Sequence, residues 1–275
     1  MKQVEFLRPG EDLGSIFAAA LPFVMARRKA TGGFGATPRL PATIEDTYHA
    51  LKILELARKH GVAAGDESDP TRDSNLRSNL AGCRRSLPAG SRTRFQLLWC
   101  CRTAGLALND GSLEEMVIDL MAASVFLEDW YFGLRILDEV LGRPRRPTVE
   151  KERLAAILDR GWRTVGEAWM HIRLSSSFRK ALPLPEFELI AWLQACQNGD
   201  GGFGFFPRTT SFVENCHAAL RALAFLDAEP RDTAGAYFFL ASCQTVGGGF
   251  GRSSRAAPFL DTTWHALAAI SFLNA

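Results

Sequence analysis

A long motif occurs three times in this chain without a gap, and it constrains the fold more than any other feature. The copies are GGFGATPRLPATIEDTYHAL from Gly32, GGFGFFPRTTSFVENCHAAL from Gly201 and GGFGRSSRAAPFLDTTWHAL from Gly248. In each copy the phenylalanine of GGFG is followed by an arginine five positions later and by an acidic residue 11 positions later. The arginines are Arg39, Arg208 and Arg255, and the acidic residues are Glu45, Glu214 and Asp261. The chain is therefore built from repeated units.

A fourth, degenerate copy keeps only the segment that follows the glycine loop. LEDWYFGLRIL from Leu127 matches IEDTYHALKIL from Ile44 in residue type. The acidic positions 45, 128, 214 and 261 are separated by 83, 86 and 47 residues, so a unit of about 42 to 47 residues fits the spacing. Six such units would fill the 275 residues, with two of them too divergent to recognise.

Each unit has the pattern of a helix pair. Apolar residues recur at helical spacing before the last two loops, in FELIAWLQACQ and GAYFFLASCQ, and after a loop in HAALRALAFL. Glycine suits a tight turn with positive φ, and the acidic residue complements the positive end of the following helix dipole. No segment has a convincing strand pattern. Six helix pairs without polar capping repeats predict an all-α fold: an (α/α)6 toroid, one domain over residues 1–275, with six inner helices lining a cavity and six outer ones.

Two polar stretches interrupt the repeats. Residues 59–94 are rich in Gly, Ser, Asp and Arg, and they predict a long polar loop that could act as a lid. Residues 142–153, GRPRRPTVEKER, predict a basic connector that ends where a helix begins. A solvated surface is the simpler interpretation of both stretches.

Composition narrows the classes of function. A net charge of +2 gives no general attraction to nucleic acid or acidic lipid, so an anion site would have to be built locally. No apolar run approaches the roughly 20 residues that span a bilayer. The six cysteines are unevenly spaced in a chain without an export signal, which favours free thiols over a disulfide framework. We expect a soluble, cytoplasmic protein.

The repeats resemble those of the prenyltransferase and squalene-cyclase superfamily. The resemblance covers residues 32–55, 192–226 and 239–273, with a weaker trace at 127–141, and includes Cys-Gln before GGFG at 196–197 and 243–244. It implies an (α/α)6 barrel whose apolar cavity holds an isoprenoid chain. The chain is most similar to the β subunits of protein prenyltransferases, which act with a helical α subunit. That similarity implies an isoprenyl diphosphate substrate, with Mg²⁺ accompanying the diphosphate, and an α-type partner or a homodimer.

The resemblance also implies a catalytic zinc. Those β subunits hold zinc with an acidic residue, a Cys two positions later and a His in the next repeat, and here these positions are Glu214, Cys216 and His265. Arg208 stands where the family has an arginine that contacts the diphosphate. Two departures are a Glu in place of the usual Asp and Ser211 in place of a lysine. Zinc would hold a substrate thiol as thiolate, and its prenylation would follow.

Comparison between the repeats leaves a structural alternative open for each candidate. Glu214 and His265 have counterparts elsewhere in the repeat frame, whereas Cys216 replaces Thr47 and Thr263 and is unique. Without zinc, Cys216 would be a small buried side chain. The three loop arginines could pair with the repeat carboxylates or form an anion-binding ring at the cavity mouth. The remaining candidates are predicted to line the cavity and contact substrate: His217, Tyr48 and Trp264.

Two further functions remain open. A class II terpene cyclase protonates an alkene with a buried acid, and in TIEDT Glu45 would be that donor with Asp46 beside it, although Thr43 replaces the first aspartate of the family's motif. The other is a non-catalytic toroid that binds an isoprenoid or a protein. Stoichiometric zinc in the purified protein would favour the prenyltransferase over both alternatives.

Overall fold

A computed structural model describes residues 13–62, 69–143, 151–182 and 184–273. Within these ranges there are twelve α-helices and no β-strand, only isolated bridges in the loops. The helices are α1 Leu13–Met25, α2 Ile44–Lys59, α3 Ser74–Arg84, α4 Ser91–Thr103, α5 Asp110–Ala123, α6 Leu127–Arg135, α7 Lys151–Leu158, α8 Val165–Phe178, α9 Glu186–Ala195, α10 Val213–Phe225, α11 Thr233–Ser242 and α12 Leu260–Leu273. No helix in the described ranges is both long enough and apolar enough to cross a membrane.

The even-numbered helices form a closed inner ring. Each packs against the next, from α2 through α4, α6, α8 and α10 to α12, and α12 packs back on α2. Among the odd-numbered helices, α1, α3, α5, α9 and α11 each pack against the inner helix that follows. This arrangement confirms the predicted all-α, (α/α)6 toroid.

The glycine loops turn the chain from an outer helix into an inner one. The first glycine of each GGFG has a φ of 85–90°, which strongly favours glycine. A Cβ on Gly201 would collide with the backbone of Gly235 in α11, and one on Gly248 with the backbone of Ala19 in α1. The last loop therefore rests against the first helix, which helps close the ring.

The prediction of a long loop at 59–94 is wrong for most of this segment, which is largely helical where it is described. Residues 70–72 form a 3₁₀ turn, α3 occupies 74–84 and α4 begins at Ser91, while 63–68 lie outside the described residues. The Asp73 carboxylate caps α3 by accepting a hydrogen bond from the backbone N–H of Asn75 at 2.8 Å. Leu76 and Leu80 are buried on one face. An outer helix needs only such a narrow apolar stripe, so its sequence can look like a loop.

The basic connector at 142–153 falls largely outside the described part of the chain, since 144–150 are not described. The following helix, α7, begins at Lys151, close to the predicted position. The structure therefore neither supports nor opposes the predicted connector itself.

Candidate functional site

The inner ring encloses a cavity of about 380 Å³ that starts at the N-terminal ends of the inner helices. Its walls come from α4, α6, α8, α10 and α12 together with Phe205 of a glycine loop. Volumes of roughly 300–1,000 Å³ are typical of sites for small organic ligands. The cavity reaches from Glu214, the second residue of α10, down to Arg221, the ninth.

An aromatic layer surrounds the cavity at one level. The fifth residue of every inner helix carries a ring: Tyr48, Phe95, Tyr131, Trp169, His217 and Trp264. Two neighbouring pairs of rings are in contact, with centroids 5.7 Å apart for Tyr48 and Phe95 and 4.6 Å apart for His217 and Trp264. The indole N–H of Trp169 donates to the Tyr131 hydroxyl at 2.8 Å. Four of the six rings line the cavity directly, on α6, α8, α10 and α12.

A cation layer lies one helical turn further in. The ninth residues of α2, α6, α8 and α10 are Lys52, Arg135, Arg173 and Arg221. Each rests on a ring: Lys52 Nζ lies 4.7 Å from the Trp99 centroid, and the guanidinium carbons of Arg135, Arg173 and Arg221 lie 4.0, 5.7 and 4.3 Å from those of Phe95, Phe225 and Trp169. Cation–π contacts of this kind hold the charged groups in place.

Three of the four cations have a carboxylate partner. Lys52 contacts Glu55 at 2.6 Å, Arg173 contacts Asp138 at 3.5 Å, and Arg135 donates to both oxygens of Glu139 at 2.6 and 2.9 Å. Asp138 and Glu139 lie in a π-helical segment, Ile136–Val140, at the end of α6. The widened turn allows two consecutive acidic residues to reach two different arginines.

Arg221 is the exception in this layer. It makes no hydrogen bond or ion pair within the described ranges, although it lines the cavity and is half-buried. Burial lowers its pKa, and the nearby charges of Arg135 and Arg173 act in the same direction, whereas Tyr131 and Glu139 oppose it. A guanidinium in such surroundings favours an anion beside it.

Two histidines form a pair at the level of the aromatic layer. His217 Nδ1 and His265 Nδ1 lie 2.8 Å apart, so one ring donates a proton and the other accepts it. Burial, followed by Arg92 and Arg221, lowers the pKa of His265 to about 3. Burial and then His265 lower the pKa of His217 as well. Both rings are therefore neutral near pH 7.

The predicted zinc ligands have other partners. Cys216 Sγ accepts a hydrogen bond from the backbone N–H of Phe203 at 3.3 Å, and Thr47 and Thr263 accept the same bond from Phe34 and Phe250 at 3.0 Å. Cys216 thus occupies a structural position of the repeat.

Competing contacts also argue against the zinc shell. Glu214 binds Arg252 through one oxygen, leaving its buried Oε2 without a partner, and His265 pairs with His217. The described residues contain no group of three or more His, Cys, Asp or Glu side chains that could hold a metal ion. The donor set therefore does not fit zinc.

The predicted loop arginines lie outside the cavity. Arg39, Arg208 and Arg255 are all exposed, and none belongs to the cavity wall. Among the described residues no ion pair joins them to the repeat carboxylates, and the two carboxylates that do form ion pairs, Glu214 and Glu128, contact Arg252 and Arg92.

The predicted cyclase acids also face outward. Glu45 is exposed, and Asp46 accepts a hydrogen bond from the Thr43 hydroxyl at 2.6 Å at the start of α2. Partial burial and then Asp261 raise the pKa of Glu45, but neither acid lines the cavity. A proton donor to an alkene needs a dry pocket, which this position lacks.

Among the side chains predicted to contact substrate, His217 and Trp264 line the cavity. Tyr48 lies behind it, buried, with its hydroxyl accepting a hydrogen bond from Arg135 at 3.2 Å. Sequence reasoning missed the cation layer. The signal was available, because Lys52 and Arg135 occupy the same place in the matching segments from Ile44 and Leu127.

Comparison with protein-family models agrees with this architecture. The family described as "Prenyltransferase alpha-alpha toroid domain" matches residues 12–91 and 184–275, more than half of the chain. A structure of Candida albicans protein geranylgeranyltransferase-I complexed with GGPP is similar with a TM-score of 0.44 and 12% identity, covering 72% of this chain and 90% of that one. Comparison with curated protein sequences gives no match. With its repeated GGFG loops and its closed ring of inner helices, the chain belongs to the prenyltransferase alpha-alpha toroid family.

Proposed function

We propose that the protein is an enzyme that transfers an isoprenoid from its diphosphate to a nucleophile, most readily a thiol, inside the central cavity. The aromatic layer is the observation that carries this proposal. All six inner helices place a ring at the same level, and four of these rings face the cavity. Aromatic faces bury an apolar chain and stabilise an adjacent cation, and ionisation of an allylic diphosphate requires both.

The chain's own residues can supply the other requirements of the reaction. Guanidinium groups at the cavity can hold the departing diphosphate through charge-assisted hydrogen bonds. The neutral His217–His265 pair can orient the nucleophile by accepting a hydrogen bond from it, while the proton released as the new bond forms passes to water, because burial lowers the pKa of both rings and makes them weak bases. Because Glu214, Cys216 and His265 do not fit a zinc shell, no step of this scheme depends on zinc.

A direct test combines ligand binding with product analysis. Trp169 and Trp264 line the cavity, so binding of farnesyl or geranylgeranyl diphosphate should quench tryptophan fluorescence. Incubation with dithiothreitol as a small thiol acceptor should then release pyrophosphate and give a prenyl thioether by mass spectrometry. Trp264→Ala should weaken binding and turnover by roughly tenfold, the loss of about 1–2 kcal/mol of aromatic contact.

A matched control is Trp192→Ala, since Trp192 is on the outer helix α9 and away from the cavity. It should leave binding unchanged. Neither binding nor product with either diphosphate would favour a non-catalytic toroid, and a cyclised hydrocarbon would favour a cyclase. Because this chain's own helices bound the cavity, we expect binding without the α-type partner, which size-exclusion chromatography of the active sample would check.

A further inference from the structure

The position of the cation layer suggests which end of the ligand enters the cavity first. Arg135 and Arg221 line the inner end, one turn beyond the aromatic rings. We infer that this inner end, formed by Arg221 with Arg135 beside it, is a binding site for the diphosphate of the substrate, which therefore enters diphosphate first. The inference rests on the proposed function for the identity of the substrate, but the anion site can be tested alone.

Charge at this level is unbalanced. Lys52, Arg135, Arg173 and Arg221 face three carboxylate partners, those of Glu55, Asp138 and Glu139. Arg221 is the cation left over within the described part of the chain. The nearest opposing carboxylate, Glu139, is already bonded through both oxygens to Arg135, and the neighbouring guanidinium groups add repulsion. Partial burial and this repulsion both disfavour the charged form of Arg221, and an anionic ligand would offset them.

The guanidinium groups are also held in a suitable orientation. Arg173 and Arg221 lie against the same indole, that of Trp169, with distances of 5.9 and 4.3 Å to its centroid. Trp169 in turn is bonded to Tyr131, and the Arg135 guanidinium carbon lies 5.8 Å from the Tyr131 centroid. Contact through the flat face leaves the N–H groups at the edge of the Arg221 guanidinium available to oxygen atoms, whereas those of Arg135 and Arg173 already contact Glu139 and Asp138.

The spacing of the two layers fits the chemistry. Fifth and ninth residues of a helix are four residues apart, a rise of about 6 Å, and they share one face. A diphosphate on the cation layer would therefore place the allylic carbon within the aromatic layer, beside His217. Ionisation breaks the bond between that carbon and oxygen, and both electrons leave with the diphosphate. The arginines receive the added negative charge, and the rings face the allylic cation.

This orientation constrains the second substrate. The isoprenoid chain would extend toward the mouth, so the nucleophile must pass beside it to reach the reacting carbon. A cavity of about 380 Å³ leaves room only for a small acceptor. The exposed loop arginines at 39, 208 and 255 would have no part in holding the diphosphate.

The experiment measures binding of inorganic pyrophosphate by calorimetry at constant ionic strength. Arg221→Gln should weaken pyrophosphate binding by at least about tenfold, as expected for a lost charge-assisted hydrogen bond. Arg77→Gln is the matched control, because Arg77 is an exposed arginine on the outer helix α3, and it should bind like the original protein. Arg208→Gln tests the competing position at the loops.

Stability provides a second readout. If Arg221 only braced the fold, Arg221→Gln would lower the melting temperature, whereas an arginine kept for a ligand is expected to leave it unchanged or higher. Pyrophosphate should raise the melting temperature of the original protein and not that of Arg221→Gln.

Each outcome decides the inference. Absence of pyrophosphate binding, or its loss in Arg208→Gln rather than in Arg221→Gln, would overturn it. Prenyl transfer that is unaffected by Arg221→Gln would overturn it and leave the proposed function standing. Pyrophosphate binding that depends on Arg221, without binding or turnover of any prenyl diphosphate, would support the site and count against the proposed function.

Discussion

Replacing Cys216 by threonine separates a structural position from a metal ligand. In two other repeats a threonine occupies this position, accepts a hydrogen bond from the loop phenylalanine at 3.0 Å and donates at 2.6 Å to the carbonyl four residues earlier. The Cys216 sulfur accepts the corresponding bond at 3.3 Å, and sulfur is the weaker acceptor. We therefore expect Cys216→Thr to be tolerated and even stabilising.

The magnitude follows from that one hydrogen bond. A better acceptor adds at most about 0.5–1.5 kcal/mol to the free energy of unfolding, whereas Cys216→Ala leaves the buried N–H of Phe203 unpaired and costs about 1–3 kcal/mol. For a chain of this size each kcal/mol shifts the melting temperature by roughly 2–4 °C. The two variants should therefore differ in opposite directions from the original protein.

Urea unfolding and metal analysis together provide the assay. Threonine should preserve or increase the unfolding midpoint, alanine should decrease it, and the zinc content of purified protein should be the same in all three. Stoichiometric zinc that disappears in Cys216→Thr would show that the sulfur is a ligand. A loss of stability equal to that of Cys216→Ala would refute the equivalence of cysteine and threonine at this position.

Two more predictions concern the histidine pair and the glycine loops. Burial lowers the pKa of His265 from the ordinary 6.5 to about 3. Between pH 6.5 and pH 3, therefore, this histidine is protonated in the unfolded chain and neutral in the folded one. The free energy of unfolding should therefore fall as the pH is lowered from about 6.5 toward about 3. In urea unfolding, the loss of stability between pH 7 and pH 5 should be smaller in His265→Asn than in the original protein. An equal loss in both proteins would contradict the lowered pKa. Gly201 has a φ of 85° and no room for a Cβ, so Gly201→Ala should lower the free energy of unfolding by about 1–3 kcal/mol. Gly199→Ala, at an open position two residues away, should change the urea midpoint little, and similar losses in both variants would refute the argument.

The repeat frame was sufficient to predict the architecture. Phe34, Phe203 and Phe250 are fully buried, and the first glycine of each GGFG loop rests against the backbone of an outer helix. Because the spacing of the repeated motif gave the number of helix pairs, the (α/α)6 toroid could be derived from the sequence, although the contacts themselves join distant segments such as Gly248 and Ala19. The helix α3 could not, because its few apolar residues, Leu76 and Leu80, are buried only by packing on the ring.

The candidate site was predicted only in part. His217 and Trp264 do line the cavity, as their place in the repeat suggested. The uniqueness of Cys216 suggested a ligand, yet the sulfur makes the same backbone contact as the threonines. Rarity within a repeat shows that a residue differs, but not which atoms it meets.

The sequence by itself determined which residue types occupy each level of the inner helices. Only the tertiary structure decided which of those side chains share a cavity and which find a counter-ion. Lys52, Arg135 and Arg173 are neutralised by carboxylates, and Arg221 is not, among the residues the structure describes. The physical reason is that helix periodicity specifies direction along one element, whereas pairing of charges depends on distances between elements.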